Sequence, residues 1–140
     1  RARDTRKKFG FATPKTAAQK EKALRRVHKK LLSKKNGIAI WIVRGELVRN
    51  FHYIDFTQGG HEYVYPFVPK NEIWIDDDLF PNEQKPVLLH ELHERYLMGK
   101  KKYLYPRAHK SASALEKMAR HNPKILAKML VLELNRNTDI

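Results

Sequence analysis

The chain contains no cysteine, no long hydrophobic run and comparatively few acidic residues. The absence of cysteine excludes disulfides, thiolate zinc sites and cysteine nucleophiles, which leaves histidine and carboxylate side chains as the strong metal ligands. The longest unbroken apolar stretch, Ile38–Val43, is much shorter than the roughly 20 residues that cross a membrane as a helix. The length of 140 residues is that of one ordinary domain. We therefore expect a single domain with no membrane span.

The basic residues are concentrated at the start of the chain. Arg1–Lys35 holds 14 basic and 2 acidic residues, whereas residues 36–140 hold 15 basic and 13 acidic residues. We therefore divide the chain into a basic arm and helix (residues 1–35) and a body (residues 36–140). Such a segment is typical of proteins that bind nucleic acid or another polyanion, because neutralised phosphates release counterions; the alternative is a solubilising tail. The predicted nucleic-acid contacts are Arg6, Lys7, Lys8, Lys22, Arg25, Arg26, Lys29 and Lys30.

A helix is predicted early in the chain. Thr13 and Pro14 form a helix-start signal, and the helical pattern continues to about Ser33, where Asn36 and Gly37 provide a stop. The apolar stripe is narrow and consists of Ala17, Leu24, Val27 and Leu31. This helix can therefore pack along one side only.

The next forty residues are rich in β-branched and aromatic residues and predict three to five strands. Arg44 and Gly45 resemble a hairpin turn, and Thr57–Gly60 resembles a glycine turn. Pro66 favours an edge position for the strand that contains it. The predicted strands are Ile38–Val43, Glu46–Arg49, Phe51–Phe56, Glu62–Val68 and Glu72–Asp76.

The last third of the chain has helical periodicity. We predict helices over Gln84–Met98 and Pro106–Arg120, and a third that begins at Pro123, with Pro86 confining regular hydrogen bonding to the residues after it. The order is a basic N-terminal helix, a small and mostly antiparallel sheet, and three helices. The predicted class is α+β.

The helix over Gln84–Met98 contains the strongest chemical signal, the sequence V-L-L-H-E-L-H-E. At 100° per residue, His90 and Glu94 lie one turn apart on the face opposite the leucines, where they could hold one ion. Zinc hydrolases also place a carboxylate where it can take a proton from water, and Glu91 occupies that position. The alternative is that this polar face is simply solvated.

The following helix supplies possible partners. His109 and Glu116 recur at helical spacing with Ala112 and Ala119, and the small alanines allow another helix to approach closely. The candidate metal ligands are therefore His90, Glu94, His109 and Glu116.

Two further histidines and an acidic cluster are secondary candidates. His93 could bind the ion or orient Glu94 through a hydrogen bond. His61 could approach the site from the sheet, because glycines precede it, although we expect it in a surface turn. Asp76–Asp78 lacks the spaced ligands of a calcium loop, so we interpret it as a turn cluster.

Three segments resemble a known family. They are E-I-W-I-D at Glu72–Asp76, L-L-H-E-L-H-E-R at Leu88–Arg95, and Y-P-R-A-H-K-S-A-S-A-L-E at Tyr105–Glu116. Together they resemble the zincin-like metallopeptidase domains of phage and mobile-element (polyvalent-type) proteins, over about residues 38–121. The resemblance implies a zincin-like fold, in which a strand borders the substrate cleft and the next helix carries H-E-x-x-H.

The resemblance also implies roles for individual residues. His90 matches the first zinc ligand and Glu91 matches the base, whereas Glu94 stands where the second histidine belongs. The chain thus has an H-E-x-x-E variant, and a carboxylate at this position lowers zinc affinity without abolishing it.

Two functions follow from these observations. The first is a zinc-dependent peptidase of viral or phage type, acting on protein, with the basic arm on nucleic acid. The alternative is a noncatalytic nucleic-acid-associated or virion structural protein on a degenerate metallopeptidase core. A nuclease is a weaker third possibility. No apolar segment follows the basic start, so we expect no signal peptide and an intracellular (cytoplasmic) or virion-associated location.

Overall fold

The computed structural model describes residues 16–138 as an α+β fold with a small mixed sheet. The predicted contacts Arg6, Lys7 and Lys8 and the proposed helix start at Thr13 and Pro14 lie outside these residues. The helices of the described part, numbered in chain order, are α1 (Ala17–Val27), α2 (Gly45–Phe51), α3 (Pro81–Gly99), α4 (Tyr105–Arg120) and α5 (Pro123–Arg136). Its strands are β1 (His28–Lys35), β2 (Ile38–Val43), β3 (Gly59–His61) and β4 (Glu72–Asp76). None of the helices in the described part has the length and apolar character needed to cross a lipid bilayer.

The sheet has the strand order β1-β2-β4-β3. The central pair, β2 and β4, is parallel, whereas the two outer pairs are antiparallel. Side chains alternate between the two faces of β2 and β4, so that Ile40 and Ile73 pack on the side of α3 while Val43 and Trp74 pack on the opposite side with α2. The sheet therefore separates two apolar clusters, and one of them supports α3.

The first helix is shorter than its sequence pattern predicts. Thr16 and Gln19 form a reciprocal capping box at its start, but it ends at Val27 rather than near Ser33. The ring of His28 stacks on Trp41, with centroids 3.9 Å apart, and its Nε2 lies 2.9 Å from a carboxylate oxygen of Glu72. These contacts hold the following residues against β2 as strand β1.

The predicted strand Glu46–Arg49 and its hairpin turn at Arg44 and Gly45 are wrong. This segment is helix α2, whose buried residues Gly45, Val48 and Phe51 recur every three positions. Gly45 is required here because any side chain would collide with the buried carboxylate of Asp76. The spacing is thus helical, and the strand interpretation mistook a short helix for a returning hairpin arm.

Two further predicted strands are also wrong. Phe51–Phe56 is the end of α2 followed by a turn in which the Phe56 amide donates to Tyr53. Glu62–Val68 forms consecutive turns rather than an edge strand, since the amides of Val64 and Tyr65 donate to the His61 carbonyl and the amide of Val68 donates to the Tyr65 carbonyl. Gly59 and Gly60, predicted as part of a turn, instead belong to β3.

The three C-terminal helices follow the predicted order. Helix α3 begins earlier than predicted, at Pro81, a favourable first helical position for proline. Pro86 lies within α3, where it is buried, and does not end the helix. Helix α3 packs against α4, α5, β3 and β4, so residues on its polar face are enclosed between the sheet edge and α4.

Candidate metal centre

Helix α3 places its ionisable residues inside the protein rather than in solvent. His90, Glu91 and Glu94 are 7%, 6% and 3% exposed. Leu89 and Leu92 are also buried, so α3 is enclosed on both its apolar and its polar sides. The polar face of α3 is therefore buried rather than solvated.

Glu94 is the common partner of three histidines from three elements. Nε2 of His61 in β3 donates to Oε1 of Glu94 at 2.9 Å. Nε2 of His90 in α3 and Nδ1 of His109 in α4 lie 3.1 Å and 2.9 Å from Oε2. Each carboxylate oxygen thus faces different imidazoles.

Helix α4 reaches this cluster because its inner face is small. Ala108, Ala112 and Ala119 are completely buried against neighbouring elements, as the predicted close helix approach requires. His109 is half exposed, at 47% for its side chain, and its ring centroid lies 4.8 Å from that of His90. The sequence correctly brought His90, Glu94 and His109 together.

Glu116 lies on the far side of His90 from Glu94. Its Oε1 is 3.0 Å from Nδ1 of His90, and its Oε2 accepts from Arg120. Carboxylates in this position orient ligand histidines in metal sites and fix which ring nitrogen faces the ion. Glu116 was predicted as a direct ligand, and its observed contact is with the imidazole.

Strand β3 provides the residue that the sequence placed wrongly. His61 is fully buried, not in a surface turn, and it contacts Glu94. The preceding glycine makes this possible, because a Cβ at Gly59 would lie 2.8 Å from the Trp74 carbonyl oxygen and 3.3 Å from Cγ of Glu91. The glycine lets β3 fit between β4 and α3, and the two-glycine sequence was the available signal for this close approach.

His93 does not join the cluster. Its Nε2 lies 3.1 Å from Oγ of Ser111, and its Nδ1 lies 3.1 Å from Oε1 of the buried Glu133. Both predicted roles for His93, as a ligand and as an orienting partner of Glu94, are therefore wrong. The reason is its angular position on α3, which directs it towards α4 and α5.

Glu91 is a buried carboxylate with an unsatisfied oxygen. Its Oε1 has no hydrogen-bond partner among residues 16–138. Burial, followed by the negative charge of Glu94, raises the pKa of Glu91 to about 8. An unpaired buried polar atom costs free energy, so Oε1 of Glu91 is an acceptor that a proton donor or a cation could satisfy.

The ionisable groups around Glu94 shift one another's pKa values. Burial acts to raise the pKa of Glu94, but hydrogen bonds from His61 and His90 outweigh it and lower the pKa to about 2. Burial acts to lower the pKa of His90, but the carboxylates of Glu116 and Glu94 outweigh it and raise the pKa to about 10. The proton on His90 thus balances carboxylate charge that a cation could otherwise balance.

These residues fit a metal ion. Ligand atoms of His90, Glu94 and His109 all lie within 4.8 Å of one another, and so do those of a second group, His61, Glu91 and Glu94. Imidazole nitrogen and carboxylate oxygen are ligands of zinc and of other divalent transition metals. The buried cluster could therefore hold a metal ion, and the ligand types alone do not select zinc.

The cluster opens into a cavity of about 260 Å³ that Tyr65, Tyr105 and Ser113 also line. Tyr65 and Tyr105 form part of the wall of a second, larger groove of about 850 Å³. That groove is rich in aromatic residues, among them Phe51, Tyr53 and Phe67. The polar cluster therefore has room for a small group, with an apolar surface beside it.

The described part of the basic segment is exposed and lies on α1 and β1. The predicted contacts in this part, Lys22, Arg25, Arg26, Lys29 and Lys30, are all exposed. Some of this charge is paired, since Arg25 contacts Glu21 at 2.9 Å and Lys29 contacts Asp77 at 3.2 Å. None of the five residues lines the metal cavity.

Comparison of the chain with protein-family models, with curated proteins and with solved structures gave no match.

Proposed function

We propose that this protein is a zinc-dependent peptidase with a zincin-like core, in which His90, Glu94 and His109 hold the ion and Glu91 is the general base. One observation supports this most directly: the unpaired carboxyl oxygen of Glu91 lies beside the potential ligands His90, Glu94 and His109, of which His90 and Glu94 are buried. A purely structural polar cluster would be expected to pair that oxygen, because leaving it unpaired is costly.

The proposed mechanism assigns a task to each side chain. When bound, a zinc ion supplies Lewis-acid polarisation and makes water a stronger acid. Glu91 accepts the proton of the attacking water, and the same carboxyl group then donates it to the leaving amine. A cation beside Glu91 favours the ionised carboxylate that the first step requires. Glu116 would orient the His90 ring through its contact with Nδ1, which leaves Nε2 directed at Glu94.

The position of β3 supports a peptide substrate. This strand is the last in the sheet order, so within residues 16–138 its outer edge has no neighbouring strand. Extended peptides bind such edges through backbone hydrogen bonds. The neighbouring aromatic groove would receive apolar side chains of the substrate.

The decisive experiment is the substitution Glu91→Gln in zinc-loaded protein. We expect it to retain the metal bound by His90, Glu94 and His109 and to lower the cleavage rate of a peptide library by about 10²–10⁴-fold, the usual contribution of a general base. Glu46→Gln, on the exposed surface of α2, is the matched control. Cleavage by the Glu91 variant at the parent rate would exclude the mechanism.

A second candidate function is binding of nucleic acid by residues 1–35. The observation that favours it is the uneven charge, with the described part of the surplus exposed on α1 and β1. On this proposal the catalytic body acts on proteins bound to nucleic acid, including virion proteins, in an intracellular or virion-associated setting. Alternatively the body is noncatalytic and the protein is a structural component; an inactive, metal-free parent that still binds polyanions would support that alternative.

A further inference from the structure

His61 and His90 contact the same carboxylate, but their far ring nitrogens have opposite environments. Nδ1 of His90 lies 3.0 Å from the carboxylate of Glu116, which can accept a proton from it. Nδ1 of His61 instead accepts a hydrogen bond from the backbone amide of Tyr63, at 3.2 Å. The group beyond the ring decides which nitrogen carries hydrogen.

These environments assign different tautomers. Glu116 lies close enough to Nδ1 of His90 to favour hydrogen on that nitrogen, so that Nε2 could offer its lone pair once an ion displaces the proton that it directs at Glu94. A donor at Nδ1 of His61 requires that nitrogen to have a lone pair, so the neutral ring carries its hydrogen on Nε2. That hydrogen is directed at Oε1 of Glu94. Both histidines direct Nε2 at Glu94. His61 does so as a hydrogen-bond donor, whereas Nε2 of His90 is the nitrogen that could bind the ion.

We propose that His61 is a positioning residue that holds Glu94 as a one-oxygen metal ligand. This inference rests on the proposed function. The Nε2 hydrogen of His61 occupies Oε1 of Glu94. The other oxygen, Oε2, faces His90 and His109 and remains for the ion. The H-E-x-x-E sequence can then bind an ion, because a third element, β3, restrains the flexible carboxylate of Glu94 that replaces a rigid imidazole.

The surroundings of His61 suit this task. The residue is completely buried and lies in a strand, where it pairs with Ile73 of the hydrogen-bonded β4. Gly59 allows this strand to approach α3 closely. A donor fixed in this way loses little entropy when Glu94 binds an ion, because its position is set by the sheet.

The test compares two variants of similar side-chain size, His61→Gln, which keeps an N–H donor, and His61→Leu, which has none. Zinc affinity and stoichiometry are measured by competition with a chromogenic chelator and by elemental analysis. We expect one zinc ion in the parent and in both variants. We expect His61→Leu to bind zinc about 10–100-fold more weakly, the usual effect of losing such an orienting partner, and His61→Gln to recover most of that loss. His121→Ala, at an exposed position beyond α4, is the control.

The absorption spectrum of the cobalt-substituted proteins separates positioning from ligation. If His61 only positions Glu94, the band shape is the same in the parent and in His61→Gln, because the ligand atoms are unchanged. A changed spectrum, or a second ion in the parent that His61→Leu loses, would show that His61 is a ligand in the group with Glu91 and would overturn the inference. Unchanged zinc affinity in His61→Leu would overturn it too, while leaving the proposed function intact. A parent that binds no zinc would overturn both.

Discussion

At the scale of single residues, the interior of this protein contains two different kinds of charged group. The cluster around Glu94 brings together histidines and carboxylates with an unpaired oxygen nearby. The guanidinium of Arg95, the next residue in α3, is also fully buried, but it is saturated: it donates to both oxygens of Glu62 at 2.7 and 2.9 Å and to the side-chain oxygens of Asn71 and Asn137. We conclude that the Arg95 network has a structural role, whereas the Glu94 cluster could hold a metal ion.

The Arg95 network makes a prediction about acid stability. Burial acts to raise the pKa of Glu62, but the hydrogen bonds from Arg95 outweigh it, and the pKa lies below its usual value of 4.5. A carboxylate with a lowered folded-state pKa stabilises the fold above its unfolded pKa and loses that contribution as the pH falls through the folded-state pKa. At pH 7, Glu62→Gln should reduce the free energy of unfolding by about 3 kcal/mol, because it leaves Arg95 partly unpaired.

Urea unfolding at pH 7, 5, 4 and 3 measures this difference. We expect the gap between the parent and Glu62→Gln to narrow as the pH falls below about 4.5. The control is Glu21→Gln, which breaks an exposed pair with Arg25 and should change stability by less than about 0.5 kcal/mol. A gap that is the same at all four pH values would show that the charge of Glu62 contributes nothing.

At the scale of elements, the shortest strand has the strictest spatial requirement. Strand β3 has three residues, yet it must lie against β4 on one side and α3 on the other. Gly59→Ala should therefore reduce the free energy of unfolding by about 1–3 kcal/mol, because the added methyl group meets the backbone oxygen of Trp74, which cannot move aside. It should also weaken zinc binding, because His61 would shift.

Chemical denaturation together with zinc titration checks this prediction. Thr57→Ala is the control, since this exposed residue lies two positions earlier in the same segment and should change stability by less than about 0.5 kcal/mol. If Gly59→Ala were as stable as the parent, β3 would not be tightly confined between β4 and α3.

The elements also show what the sequence could and could not predict. Long periodic segments were predicted correctly: strands β2 and β4, and helices α3, α4 and α5 apart from the exact start of α3. Errors occurred where few residues carried the pattern, as in α2, or where tertiary contacts decided, as in β1. Asn36 and Gly37 were interpreted as a helix stop, yet both have positive φ, 56° and 80°, and they form the turn between β1 and β2. Asn-Gly between apolar runs is a strong hairpin signal, and it outweighs the helical spacing of Leu24, Val27 and Leu31.

Part of the site was predictable because it depends on spacing within a single helix. His90, Glu91 and Glu94 lie within one helical turn, so their proximity follows from local geometry. The approach of His109 followed from the small residues Ala112 and Ala119 on α4. The position of His61 depends on sheet order, which single-strand patterns do not specify, so the sequence left it in a turn.

At the scale of the whole molecule, the basic surface and the cavity occupy different parts of the fold. The exposed basic residues described for the N-terminal segment belong to α1 and β1, whereas β3, α3 and α4 contribute to the cavity of about 260 Å³. β1 and β3 lie at opposite ends of the sheet order. A polyanion bound at β1 would therefore leave this cavity accessible, whereas one bound at α1 would lie beside the aromatic groove, which Lys20, Glu21 and Leu24 of α1 also line.

A charge-removal experiment tests the polyanion proposal without disturbing the sheet. Deleting residues 1–35 would remove β1, so we use the triple substitution Lys22→Gln, Arg25→Gln and Lys30→Gln. Because each lost phosphate contact lowers the salt dependence, the slope of log binding constant against log salt for duplex DNA should decrease by about 2–3.

A second triple variant carries the same charge change on exposed positions of α4 and α5: Lys117→Gln, Lys124→Gln and Lys128→Gln. It should leave the slope almost unchanged. Equal losses in the two variants would mean that net charge, rather than this surface, governs binding.

The contacts to Glu94 come from three separate elements, and this determines when the site can form after synthesis. His61 precedes Glu94 by 33 positions and His109 follows it by 15, so no short stretch of polypeptide holds the set. A nascent or partly folded chain contains the individual donors but not their arrangement, and it should capture metal weakly. If the centre has the proposed hydrolytic function, that activity would arise only after the sheet and the helices have joined, when the protein's own backbone is already protected from cleavage.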